Sequence, residues 1–342
     1  MPEPIALSHA RVALTLRDPL VISKGVEEHV TVVHVTLRWG GAVGHGEAAP
    51  YEEDGQTVAG VEAFLDRFAP SLGDDPFAIE LIGRRLAEAP GEGAAKAAVD
   101  AALHDLVGTL LGQPTWRLLG LAPGGPPTSY TLSLDAPEAM ANAARAVADR
   151  LPEIRALKLK LGGRDGLDAA RVEAVAAVTD AELSVDANEA WTFDEAVGLL
   201  PALQQHGVRF VEQPLPCGSA DGPRLKRHSP LPLYADEEFH VLADLPAIAE
   251  RAHGVNVKLA KCGGIREAVR IAHGARALGL GVMLGCMVES GLGISAAVQL
   301  SMLADHVDLD ANLMLERDPA PGLTLRDGVQ TAADAPGLGV AL

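Results

Sequence analysis

Five polar motifs recur along the chain at nearly constant intervals, and each closes a short apolar run. They are Lys158-Leu-Lys160, Asp186-Ala-Asn188, Glu212-Gln-Pro214, Asp236-Glu-Glu238 and Lys258. Lys160 to Asp186 is 26 residues, Asp186 to Glu212 another 26, Glu212 to Asp236 is 24 and Asp236 to Lys258 is 22. A strand, a loop, a helix and a return loop need about that length. The apolar runs are Ile154 to Leu161, Leu183 to Val185, Val208 to Val211, Leu233 to Ala235 and Val255 to Val257. The motifs therefore mark the ends of five successive strands. In a parallel barrel such ends converge on one mouth.

The same alternation extends further. Strands are predicted near 129–133, 154–161, 183–187, 208–212, 233–237, 255–258, 281–285 and 307–309. Helical periodicity near 137–150, 165–179, 193–205, 243–252, 265–278 and 293–304 separates most of them. That order specifies a closed parallel α/β barrel over residues 125–314. Residues 1–124 read differently. Segments 5–17 and 29–39 alternate as antiparallel strands around a polar loop, Ser23–His29. A second irregular loop spans Pro50–Thr57, and helices follow at 58–71, 77–88 and 93–111, the last stopped by Gly112-Gln-Pro114. Ala122–Pro127 reads as a linker. Residues 315–342 lose the alternation and are expected to return to the first domain.

With 342 residues, 48% of them hydrophobic, the chain can bury a large core. A net charge of −18 argues against nucleic acid and anionic membrane surfaces as partners. Cys217, Cys262 and Cys286 are too few and too scattered for a disulfide framework or a zinc motif. They suit a reducing, cytoplasmic setting. The start, Met1-Pro-Glu-Pro-Ile5, lacks a basic segment and a long apolar stretch, so no signal peptide is expected, and no run reaches membrane-spanning length.

Asp186, Glu212 and Asp236 offer oxygen donors only, a set suited to Mg2+ or Mn2+ rather than zinc. Such an ion could hold a substrate carboxylate and stabilise the enediolate left when an α-proton is removed. That removal needs electrostatic stabilisation and a base of lowered pKa. A lysine beside a cation and a second lysine is expected to have one. Two lysines on opposite faces could exchange a proton with inversion, a 1,1-proton transfer. A single strand-end carboxylate is more often a helix cap and a single lysine a solvated charge; five in register with five strands favour a site. Lys261, three residues past Lys258, is left outside catalysis.

These motifs resemble those of the enolase superfamily, muconate-lactonizing subgroup, over the whole chain. The resemblance implies an α+β capping domain on a modified TIM barrel, (β/α)7β. It implies Lys160 and Lys258 as the acid/base pair, Asp186, Glu212 and Asp236 as Mg2+ ligands, and Lys158 beside the substrate carboxylate. Gly285-Cys286-Met-Val-Glu-Ser290 at the seventh strand and Asp308-Leu-Asp310 at the last are similar to the dipeptide epimerases, typified by L-Ala-D/L-Glu epimerase. Carboxylates at i and i+2 of a strand face one side and would suit an ammonium group. The resemblance implies that Asp308 and Asp310 hold the amino terminus of a dipeptide, with Thr131 against its backbone and Cys286 nearby. N-succinylamino acid racemase, o-succinylbenzoate synthase and muconate cycloisomerase activities would use the same lysines and metal without needing that clamp. Family members are often oligomeric, so a homo-oligomer is in view.

The capping loops depart from the relatives that act on Ala-Glu. Where those carry arginine to meet the glutamate side chain, this chain has Lys24, with Glu27 and Glu28 close by. The second loop carries Glu52, Glu53 and Asp54. These would repel an acidic side chain and attract a cationic one, or they are solvated loop charges of an acidic protein. The second residue of the dipeptide is therefore open among acidic, cationic and apolar.

Overall fold

Alternation in the first forty residues builds one long hairpin. In the computed structural model, which describes residues 3–340 and 342, β1 (Ala6–Ile22) pairs antiparallel with β2 (Gly25–Trp39), and β2 with β3 (Ala42–Ala48). The loop expected over Ser23–His29 is mostly strand. Val26 pairs with Val21 and Glu27 with Leu20, leaving only Ser23-Lys24 as a turn. The ladder breaks between Thr15 and Leu20, where Pro19 lacks an N–H, and resumes beyond. Both faces of that extension carry partly or fully exposed residues, so it shows no inside–outside alternation.

The sheet packs on three helices, α1 (Val58–Phe68), α2 (Ile79–Glu88) and α3 (Gly93–Leu111). Thr57 caps α1, its hydroxyl accepting the Gly60 N–H at 3.0 Å. α3 is buried nearly all round, and Gly112 ends it in the left-handed region at φ 65°. β3, which the sequence does not announce, lies against α3 through Gly44 and Gly46. A methyl group at either would strike the helix backbone at Ala102 or Ala98.

Eight parallel strands follow in sequence order: β4 (Ser129–Leu132), β5 (Ala156–Lys160), β6 (Glu182–Asp186), β7 (Val208–Glu212), β8 (Leu233–Ala235), β9 (Gly254–Lys258), β10 (Gly281–Gly285) and β11 (His306–Asp308). A parallel bridge between Thr128 and Val307 joins the last strand to the first, and the Leu309 N–H donates to the Thr128 hydroxyl at 2.8 Å. The barrel is thus a modified TIM barrel with a separate antiparallel sheet. Apolar side chains seal strands to outer helices in two clusters, one centred on β4–β7 and one on β9–β11. Phe210, Tyr234, Met283 and His306 fill a separate small cluster low on the strands.

Helices at Pro137–Arg150, Phe193–Gln205 and Ile265–Ala277 fall where periodicity puts them. The helix Gly222–His228 was not expected; its seven residues, opened by Pro223, are too few to display a period. The tail divides its contacts. Leu315 bridges Leu16 of β1, the hairpin β12 (Thr324–Arg326) and β13 (Val329–Thr331) reaches the barrel through the Thr128 N–H to Gly328 oxygen bond, and Leu338 N–H donates to Asp105 of α3 at 2.6 Å. Among the described residues no helix is long and apolar enough to cross a membrane.

Candidate active site

Strand order alone distributes the five motifs. β5 and β9 stand four places apart in an eight-strand ring, so Lys160 and Lys258 end on opposite sides. β6, β7 and β8 form the arc between them, with Asp186 beside Lys160 and Glu212 beside Asp186 in register. β11, which carries Asp308, is again four places from β7 and lies across from Glu212.

The side chains interlock as ion pairs. Lys160 Nζ is 2.6 Å from Asp186, and Lys258 Nζ is 2.7 Å from Asp236. Lys158 crosses the floor, 3.1 Å from Glu212 and 3.7 Å from Asp186, and bonds Asp308. Lys261, left out on sequence grounds, donates to Asp236 Oδ1 at 2.6 Å; the turn Leu259–Cys262 folds it back over the strand end. At the strand ends Lys158, Lys160, Lys258 and Lys261 stand among six carboxylates: Asp186, Glu212, Asp236, Glu237, Asp308 and Asp310.

Burial would raise the Asp186 and Asp236 carboxyls, but Lys160 and Lys158 lower the first, and Lys258 and Lys261 hold the second well below the usual range. Glu212 is pushed up to about 8 by burial and by the charges of Asp186 and Asp236. Burial lowers Lys158 and Lys258, yet Asp308, Glu212 and Asp186 outweigh it for the first and Asp236 and Glu212 for the second, leaving both raised.

Among the described residues no three His, Cys, Asp or Glu side chains stand close enough to enclose an ion as placed, because the lysines take the carboxylate oxygens. The chemistry of the set nonetheless fits a hard divalent cation. Three buried carboxylates end adjacent strands, and burial first, then the charges of Asp186 and Asp236, keep Glu212 from ionising easily.

Loop geometry fixes these groups. Gln213, at φ 33°, receives the Asp236 N–H at 2.9 Å on its side-chain oxygen and donates to the Leu215 oxygen. Asn188 and Glu189 are also left-handed, at φ 43° and 67°. The Asn188 amide donates to Asp186 and to Glu237, both at 3.2 Å, while Asn256 holds Glu212 at 2.8 Å.

Asp308 and Asp310 are not a strand pair. β11 ends at Asp308, and Asp310 precedes the short helix Ala311–Met314. Asp308 accepts from Ser129 and Lys158, and Asp310 accepts the Thr131 N–H at 2.6 Å. Both are buried, and Asp310 is pushed up to about 6 by burial and by Asp308. Cys286 lies against them, its thiol 3.4 Å from the Asp308 carbonyl and raised well above the usual range by burial.

One cavity collects Thr131, Lys158, Lys160, Asp236, Lys258, Cys286, Asp308 and Asp310. The hairpin tip covers it, the Ser23 hydroxyl donating to the Asn188 carbonyl at 3.2 Å. Lys24 is placed otherwise than expected. Its ammonium is held by Glu189 at 2.6 Å, Glu53 at 2.8 Å and Glu237 at 3.3 Å, and it does not line the cavity.

Residues 138–342 match the family described as enolase C-terminal domain-like, and residues 5–120 match the mandelate racemase / muconate lactonizing enzyme N-terminal domain. The chain belongs to the enolase superfamily. Within that superfamily it is 38% identical over 331 residues to L-Ala-D/L-Glu epimerase of Bacteroides thetaiotaomicron, covering 96% of this chain and 85% of the relative. It is 37% identical over 341 residues to the hydrophobic dipeptide epimerase of Roseobacter litoralis, covering 96% of each. The dipeptide epimerase of Enterococcus faecalis V583, solved with Mg and L-Leu-L-Tyr, superposes with a TM-score of 0.93 at 31% identity, covering 99% of this chain and 100% of that one.

Proposed function

We propose that this member of the enolase superfamily is a magnesium-dependent dipeptide epimerase that inverts the α-carbon of the C-terminal residue. The observation that carries it is the ring arrangement: two lysines ending opposite strands, carboxylates on the arc between, and a second acidic pair across from that arc. The likeness to epimerases of Ala-Glu and of hydrophobic dipeptides supports a dipeptide as substrate.

Lys160 and Lys258 flank the reacting carbon. One removes the α-proton from one face and the other returns a proton to the opposite face, so stereochemistry inverts. Asp186, Glu212 and Asp236 would hold the cation. When bound, it supplies positive charge for the substrate carboxylate and competes with Lys258 for the charge of Asp236 and Glu212. Asp308 and Asp310 accept the amino terminus, with Thr131 and Cys286 beside them. Lys158 neutralises the floor between Asp308 and Glu212. Three unpaired cysteines fit the reducing cytosol as its setting.

Incubation of the Mg2+-loaded enzyme with L-Ala-L-Xaa dipeptides in D2O tests this. Deuterium is expected at the α-carbon of the C-terminal residue alone. Lys160→Ala and Lys258→Ala are each expected to cut epimerisation by about 10²–10⁴-fold while the chain stays folded. Absence of exchange with every dipeptide, or near-normal turnover in either variant, sinks the reading.

A further inference from the structure

The fold sorts the five acidic residues of the capping loops. Glu28 and Glu52 are exposed, and Glu53 is paired with Lys24. Glu27 and Asp54 line the cavity. Glu27, on β2, lines the same cavity as Lys160 and Lys258, the two groups between which the reacting carbon is proposed to sit. Asp54 sits at the second loop, with Oδ1 3.4 Å from His240 Nε2 and Oδ2 buried without a hydrogen-bond partner.

Two more buried oxygens, on residues that line this cavity, share that condition, Asn188 Oδ1 and Glu237 Oε2. Asn188 is only 6% exposed, so solvent does not reach it freely. All three unpartnered atoms are acceptors. Glu27 and Asp54 present acceptor oxygens from the capping loops, which suit an occupant that brings N–H donors. The one loop cation that could have met an acidic side chain, Lys24, does not line the cavity and is held by Glu53, Glu189 and Glu237. Leu20, Ile22, Val30 and Met287 belong to the apolar part of the wall and suit an aliphatic stem that ends in a charge.

We infer that Glu27 and Asp54 are the specificity-determining pair of this site and select dipeptides whose C-terminal residue is lysine or arginine. The inference rests on the epimerase reading above. Carboxylates in a partly desolvated cavity repel a glutamate side chain and hold an ammonium or guanidinium by charge-assisted hydrogen bonds. Such a bond contributes about 1.5–3 kcal/mol, roughly a 10- to 100-fold preference.

The test compares kcat/KM of the Mg2+-loaded enzyme on L-Ala-L-Lys, L-Ala-L-Arg, L-Ala-L-Leu and L-Ala-L-Glu, for wild type, Glu27→Gln and Asp54→Asn. Wild type is expected to favour the Lys or Arg dipeptide over the Leu dipeptide by roughly tenfold and over the Glu dipeptide by roughly a hundredfold. Glu27→Gln is expected to shrink the Lys-over-Leu ratio by about tenfold, chiefly through KM, and Asp54→Asn to move it the same way. The wild-type preference is read without any variant, so poor folding of one cannot mask the answer. Preference for the Leu or Glu dipeptide overturns the inference. So does an equal loss on all four substrates in both variants, which would make Glu27 a counter-charge for the lysines. Exchange with none of the four removes the epimerase reading and this inference together, whereas exchange with the Leu dipeptide alone removes only this one.

Discussion

Lys158 ties two sides of the barrel to each other. Its ammonium, on a residue 3% exposed, joins Asp308 on β11 to Glu212 on β7. Removing one member of a buried pair costs about 3–5 kcal/mol when no other partner remains; here Glu212 and Asp186 stay, so a smaller loss follows. Asp308→Asn is therefore expected to lower the melting temperature by a few degrees. It should also reduce turnover of dipeptides with a free amino terminus far more than that of N-acetylated ones. Equal turnover of free and acetylated dipeptides by the wild type would dismiss the ammonium clamp. At this scale the sequence marked the strand-end residues because each follows an apolar run. It could not mark the partners of Lys24, since Glu53, Glu189 and Glu237 come from three distant segments. Lys261 was hidden for a related reason: only the turn Leu259–Cys262 reveals that it doubles back onto Asp236.

The seam between the N-terminal sheet and the barrel is drawn by β3, α3 and the helix Gly291–Val298. Gly46→Ala would drive a methyl into the Ala98 carbonyl of α3, a backbone atom that cannot turn aside. We expect a loss of about 1–3 kcal/mol or more in denaturant melts; an unchanged midpoint would mean the helix can back away. Further along the seam, Glu47 of β3 accepts the Ser290 N–H at 2.8 Å and crowds Glu289. Burial first, and the Glu47 charge second, push Glu289 up to about 8. Its folded-state pKa lies above the ordinary 4.5, so the folded chain keeps a proton that the unfolded chain has lost. That contribution to stability is complete below about pH 4.5 and drains away as pH rises through about 8. Glu289→Gln, which mimics the protonated form, should flatten the fall in melting temperature between pH 6 and 8.5; parallel slopes in both proteins would exclude it. The barrel strands were legible because a buried parallel strand is a short apolar run with a polar end. The β1–β2 extension was not, because neither of its faces is fully buried, and neither was β3, whose two glycines answer to helix proximity rather than to strand propensity.

For the molecule as a whole, only a small part of the negative charge lies at the barrel mouth, where carboxylates outnumber lysines by two. The net charge is −18, and six carboxylates meet four lysines at the strand ends. A divalent cation that binds there and not to the unfolded chain stabilises the fold by mass action, by about 2.7 kcal/mol at a hundred times its Kd. Mg2+ added after exhaustive EDTA treatment should thus raise the melting temperature by several degrees, and Asp186→Asn should lose the response; identical melts with and without Mg2+ would remove the metal from the account. The closed barrel and its separate sheet followed from spacing and alternation, but which loop residue reaches the cavity did not, since that depends on how the hairpin tip is fastened at Ser23 to the Asn188 carbonyl. That fastening has a consequence for lineage. The lysines proposed to move the proton end strands of one segment, while Glu27 and Asp54 ride on another that leans over the opening. Substitutions there can drift without disturbing the ring beneath, so descendants of this chain can change diet while inheriting the same engine.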